Sequence, residues 1–104
     1  MTHPNGSMTS ILASTIPHGR ENAISRRELS DRLGMSDREA RRAISAARAG
    51  GLLIINSSDG AGYYQTEELS EIRRQYRQEK ARLKAIYAAT KPMRDLLKNA
   101  GEEV

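Results

Sequence analysis

Twice within residues 25–40, in "SRRELSDRLGMSDREA", a serine is followed three positions later by a glutamate, and a glycine stands between the two pairs. Ser25 with Glu28, and Ser36 with Glu39, have the spacing of a capping box: the hydroxyl accepts the third amide of a helix while the carboxylate reaches back to the cap. Gly34 supplies the positive φ that ends a helix within one residue, and Met35 can tuck beneath the corner. The pattern predicts one helix over residues 26–33, a tight turn, and a second helix from the Ser36 cap to Ala49, stopped by Gly50 and Gly51.

The second of these helices has two unlike faces. Ala40, Ile44 and Ala47 recur at spacings of four and three, and Arg38, Arg41, Arg42, Ser45 and Arg48 fall opposite them. Small residues on the inner face allow close backbone approach to the preceding helix, whose Leu29 and Leu33 supply bulk. The arginines are then displayed outward from a stiff mount.

Around this pair the remaining elements are coarser. Ile11, Leu12 and Ile16 predict a short first helix from about Ser10, stopped by Pro17 and Gly19, with "ENAIS" extended after it. "LLIIN", "SSDGAG" and "YYQT" read as strand, turn and strand, with alternation sending one of Tyr63 and Tyr64 inward and the other out. From a cap at Thr66, with Glu67 and Glu68 in its first turn, a long helix is expected to reach about Asn99. Along it Leu69, Ile72, Tyr76, Leu83, Ile86, Met93 and Leu97 keep a heptad spacing, with Glu79 and Thr90 in the gaps. Pro92 predicts a kink or restart near Thr90.

The order helix, helix, turn, helix, hairpin describes a mainly α fold: a winged helix-turn-helix (three helices plus a β-hairpin wing) followed by a long C-terminal helix. The expected division is a flexible tail at 1–9, the winged domain at 10–66, a dimerisation helix at 67–99, and a short tail at 100–104. In such a fold the third helix enters the major groove of DNA. Arg38 and Arg41, with Ser36, Asp37 and Ser45 nearby, are the candidates for base edges, and Arg42 and Arg48 for phosphates. The wing turn holds Asp59 and no Lys or Arg, so its contacts are expected to be weak, through the hydroxyls of Ser57 and Ser58 or backbone amides, and the equal alternative is a hairpin that only closes the core. The rival reading of the same scaffold is a non-enzymatic protein interaction module, with the third helix docked on an acidic partner.

Charge and composition narrow the classes further. The net charge is +4, and residues 25–50 carry seven arginines against four acids, which favours an acidic partner. Phe and Trp are absent and only 38% of residues are hydrophobic, so the core must be thin; pairing of the seam with a second copy would cover it. The seam could instead fold back on its own domain. In a parallel pair Glu68 of one copy approaches Arg73 of the other. A second basic stripe, Arg73, Arg77, Lys80 and Lys84, reads mainly as a solvated face, with contact to flanking DNA as the alternative.

The chain has no cysteine, and its histidines, His3 and His18, stand in segments read as tail or turn. Neither a metal site, a cofactor nor a catalytic constellation is expected, and a reducing cytoplasm is the expected setting, with no membrane association.

With those residues in view, "IPHGRENAISRRELSDRLGMSDREARRAISAARAGGLLI", then "GYY" and a long charged helix, resembles the small winged-helix proteins of phages and prophages of Gram-positive bacteria, over roughly residues 11–97. The resemblance implies duplex DNA binding in transcriptional regulation or phage replication.

Overall fold

The computed structural model describes residues 4–57, 60 and 62–104, with side chains from residue 8 onward. The chain is mainly helical with one small antiparallel hairpin, and it divides into two compact units, 1–72 and 73–104. The elements are α1 (Pro4–Thr15), a 3-10 turn (Arg20–Asn22), α2 (Arg26–Leu33), α3 (Asp37–Ala49), β1 (Ile54–Ser57), β2 (Gly62–Gln65), α4 (Leu69–Ala89) and α5 (Lys91–Asn99).

The caps behave as local chemistry requires. Ser36 Oγ accepts from Glu39 N at 3.2 Å, and Glu39 Oε1 accepts from Ser36 N at 3.4 Å, so the box of α3 is complete. That of α2 is half formed: Ser25 Oγ accepts from Glu28 N at 3.0 Å, but the Glu28 carboxylate turns forward to Arg32 at 2.9 Å, one helical turn on. A charged partner outcompetes a neutral amide for a carboxylate. Gly34 ends α2 at φ 64°, with its amide on Asp31 O and the Met35 amide on Ser30 O, the paired bonds of a Schellman turn.

The core of the first unit gathers Leu12 and Ile16 of α1, Ile24, Leu29 of α2, Ala43, Ile44 and Ala47 of α3, Ile54 of β1 and Tyr63 of β2. Met8, Leu33, Met35 and Leu52 close its edges. Alanine on the inner face of α3 lets it pack on α1 as well as on α2. The helix that was expected to start near Ser10 instead starts at Pro4, a residue suited to a first helical turn because it has no amide to leave unbonded. Residues 4–9, expected in the tail, therefore belong to α1, and Met8 is anchored on the core.

"ENAIS" is only partly extended: a 3-10 turn precedes Ile24, which alone bridges to Tyr63. Both bonds of that bridge form, Ile24 N to Tyr63 O at 3.0 Å and Tyr63 N to Ile24 O at 2.7 Å. On the same side Gly19 N reaches Gln65 O at 2.9 Å and Gln65 N reaches Pro17 O at 2.8 Å. Strand β2 is thus bonded on one flank to β1 and on the other to residues 17–24, which locks the hairpin to the chain leading into α2.

Tyr63 and Tyr64 are both buried, not one in and one out. Paired residues share a face: Ile54 and Gln65 with Asn56 and Tyr63, and Ile55 with Tyr64 on the other. The first face meets the helical core, and the second is covered as well. There Tyr64 Oη donates to Glu71 Oε1 at 2.9 Å, and Thr66 Oγ1 donates to Glu71 Oε2 at 2.9 Å. Thr66 therefore does not cap a helix. Its hydroxyl accepts from Glu68 N in a local turn, and α4 begins three residues later, at Leu69.

In the second unit α4 ends at Ala89 and α5 resumes at Lys91, with Pro92 in its first turn, the expected restart. Pro92 offers no amide, while the Thr90 and Arg94 amides keep their bonds to Ile86 O and Thr90 O, and the single residue Thr90 separates the two helices. After Asn99 the chain is not simply frayed: the Glu102 amide returns to Leu97 O at 2.9 Å. No helix among the described residues is long and apolar enough to cross a membrane.

Candidate nucleic-acid interface

The candidate surface is the outer face of α3 with the turn before it. Ala40, Ala43, Ile44 and Ala47 are buried, and between them Arg38, Arg41, Arg42 and Ser45 are exposed along the opposite side. The inner face is fixed by the core and the N-terminal end by its complete capping box. Short residues inward and long cations outward therefore follow from the same helix, and the side chains displayed are those the sequence pattern selected.

Their electrostatic setting is less uniform than the pattern suggested. Asp37 receives two arginines: Arg26 Nε at 2.6 Å from Oδ1 and Arg41 Nε at 3.2 Å from Oδ2. Arg26 and Asp37 each follow a capping serine, so they are the first residues of α2 and α3, and their ion pair ties the two helix starts together. All three side chains remain about half exposed, where an ion pair contributes at most about 1 kcal/mol of stability. The effect of the pair is orientation: Asp37 steadies Arg41, and its own carboxylate is occupied rather than free to accept from a base. Arg38 and Arg42 meet no carboxylate within ion-pair distance among the described residues.

Arg26 was not among the residues selected from sequence. Its position directly after Ser25, repeated by Asp37 after Ser36, was the available signal, but their proximity depends on the angle between two helices and not on either helix alone.

Two expected contacts fall elsewhere. Arg48 is only partly exposed, and its Nε donates to Ile54 O at 3.2 Å, so this guanidinium fastens the end of α3 to the hairpin. Ser57 lies within β1 opposite Gly62 and is buried, which removes its hydroxyl from the surface. Ser58, like Asp59 of the same turn, lies outside the described residues. Ser36 is exposed, with its hydroxyl committed to the cap.

The expected dimerisation residues lie on α4 and α5. Leu69, Tyr76, Leu83, Ile86, Met93 and Leu97 are between 38% and 72% exposed, and Ile72 is half-buried. Tyr87 and Leu96 are exposed as well and widen the stripe beyond the heptad positions. Arg94 stacks over the Tyr87 ring at 3.6 Å and donates to Tyr87 O and to Thr90 Oγ1, which clasps α5 onto the end of α4 across the proline.

His18 is exposed, and its carbonyl accepts from Asn22 Nδ2 at 3.0 Å. No group of acidic or histidine side chains among the described residues is arranged to hold a metal ion. No family model, curated protein or solved structure matches the chain.

Proposed function

We propose that this chain is a winged helix-turn-helix protein that binds duplex DNA without a cofactor, with α3 in the major groove and β1–β2 as the wing. The observation that carries the reading is the outward row of Arg38, Arg41, Arg42 and Ser45 on a helix whose opposite face is sealed by alanines and Ile44. Arg38 and Arg41 are assigned to base edges, where a bidentate guanidinium distinguishes guanine, and Arg42 to a phosphate. The Ile24 bridge ties the chain entering α2 to β2, the second strand of the proposed wing. Two copies pair through the exposed seam of α4 and α5, as the unpartnered heptad residues favour. The role is regulation of transcription or phage-type replication in the cytoplasm, in keeping with the resemblance of the helix-turn-helix segment.

Replacement of Arg41 and Arg42 together by Ala tests this. Affinity for a duplex selected from random sequences is expected to fall by more than about 1 kcal/mol, with stability lowered by no more than the at most about 1 kcal/mol of the exposed Arg41–Asp37 pair, because neither side chain is in the core. A dissociation constant for any duplex weaker than about 10⁻⁴ M at physiological salt lies below the usual non-specific range. That result would leave the protein interaction module as the better reading.

A further inference from the structure

The two units differ in charge more than the whole chain suggests. Residues 1–72 contain eight Lys and Arg against nine Asp and Glu, a net of −1, because acids at 59, 67, 68 and 71 offset the arginines of α2 and α3. Residues 73–104 contain nine Lys and Arg against four acids, a net of +5. Attraction to a polyanion independent of its sequence comes from cations free to replace counterions. In the first unit half of the eight cations are engaged: Arg26, Arg32 and Arg41 are paired with acids and Arg48 is held by the hairpin.

The cations of α4 are arranged differently. Arg73, Arg77, Lys80 and Lys84 follow one another at steps of four, three and four, so they form one edge of the helix. All four are exposed, and among the described residues none meets a carboxylate within ion-pair distance. Lys80 lies 5.8 Å from the Tyr76 ring, which keeps its ammonium at the surface of the helix. The acids of the second unit stand off this edge: Glu79 pairs with Arg82, Asp95 with Lys91, and Glu102 and Glu103 follow the last helix.

From Arg73 to Lys84 the edge is about 16 Å long at 1.5 Å per residue. One strand of duplex presents a phosphate about every 3.4 Å of axis, so an edge laid along it passes about five. A second copy is a poor occupant for it. In a parallel pair built on the heptad seam only Arg73 comes near an acid, Glu68 of the other copy, while Arg77, Lys80 and Lys84 are left without one and two +5 units are brought together.

We propose that the edge Arg73, Arg77, Lys80 and Lys84 is a phosphate-binding rail for duplex DNA, which supplies the sequence-independent part of binding while α3 supplies discrimination. The proposal rests on the DNA-binding reading and adds a second contact surface to it.

The test compares the full chain with R73Q/R77Q/K80Q/K84Q and with R73K/R77K, each titrated into a labelled random-sequence duplex between about 50 and 200 mM KCl. Each phosphate contact contributes about 0.9 to the slope of log affinity against log salt, so the quadruple variant is expected to lose between about 0.9 and 3.6, and the lysine variant to keep its slope. Affinity of the quadruple variant for selected and random duplex falls by the same factor, whereas R41A/R42A narrows the gap between them. A loss of slope smaller than about 0.9 overturns the rail and leaves the role of α3 intact. Absence of duplex binding by the unaltered chain overturns both readings. Binding to phosphatidylserine vesicles that the four substitutions abolish, with the DNA slope unchanged, overturns the rail in favour of a membrane surface.

Discussion

Replacement of Gly62 by Ala tests whether the hairpin is clamped to the chain entering α2. Gly62 has φ 101°, and a Cβ there would stand 2.0 Å from Ile24 O, 2.6 Å from Ile24 C and 3.1 Å from Ser25 N. Ordinary van der Waals contact begins near 3.4 Å, and all three atoms are backbone, so no side chain can swing aside to relieve the clash. The strand must move off Ile24. The bonds most exposed to that movement are the two of the Ile24 and Tyr63 bridge, each contributing about 1 kcal/mol net. Backbone strain from a side chain at this φ adds about 1 kcal/mol or more. The expected loss is therefore at least about 2 kcal/mol, against a total of about 5–15 kcal/mol for a domain.

Urea unfolding at fixed protein concentration measures it. With a slope near 1–2 kcal/mol per molar for a chain of this size, the midpoint is expected to drop by about 1–2 M. Gly34→Ala is the control: φ is 64°, but nothing lies within 4 Å of the added Cβ, so only conformational strain of about 1 kcal/mol is expected. Equal losses for the two variants would refute the claim that close approach of Ile24, and not φ alone, requires glycine at 62.

Two further outcomes are expected. Gln65 is buried and its Nε2 donates to Ala13 O at 3.0 Å and Ile16 O at 2.7 Å, so Gln65→Leu leaves two carbonyls at the end of α1 without that donor and should cost about 1–3 kcal/mol in thermal or urea unfolding; a neutral effect would show that water serves them equally well. Leu83→Glu combined with Ile86→Glu places charge on the exposed seam, and light scattering should then show half the mass of the unaltered chain, with the first unit still folded; an unchanged mass would place any pairing elsewhere.

The parts legible in the sequence were those fixed by short-range chemistry. Ser36 and Glu39 meet within one turn of helix, Gly34 turns the chain by its own φ, and the alanines of α3 declare their face by spacing, so α2, the turn and α3 came out with their boundaries. Pro92 likewise signalled the restart at Thr90. What was not legible depends on tertiary neighbours. Alternation assigned one of two tyrosines to solvent, but Glu71, six residues past the strand, folds over the second face and receives the Tyr64 hydroxyl. The same carboxylate takes the Thr66 hydroxyl that was expected to cap a helix. Arg48 lies on the outer face by spacing, yet a carbonyl of β1 is within its reach, and a long side chain at a helix end follows the nearest acceptor. The Arg26 and Asp37 pair needs two helices at a particular angle, which no window of sequence contains.

Dividing the chain at residue 72 also changes what its arginines mean. Counted along the sequence, the excess of positive charge sits on residues 25–50; counted by compact unit, it sits on α4 and α5. A reading helix gains from having few unpaired cations, because each free charge binds every phosphate equally and adds affinity for wrong sites as fast as for right ones. Pairing Arg41 with Asp37 removes some of that indiscriminate attraction while holding the guanidinium in one orientation. If α3 reads DNA as proposed, the attraction lost there would come from a surface that does not read sequence, and an edge of evenly spaced cations on a long helix meets that requirement. On this reasoning the two substitutions R41A/R42A and R73Q/R77Q/K80Q/K84Q act on separate terms, so their effects on affinity for a selected site should add, as they do for sites that share no partner. A combined variant that loses much less than the sum would mean that the two surfaces compete for the same phosphates.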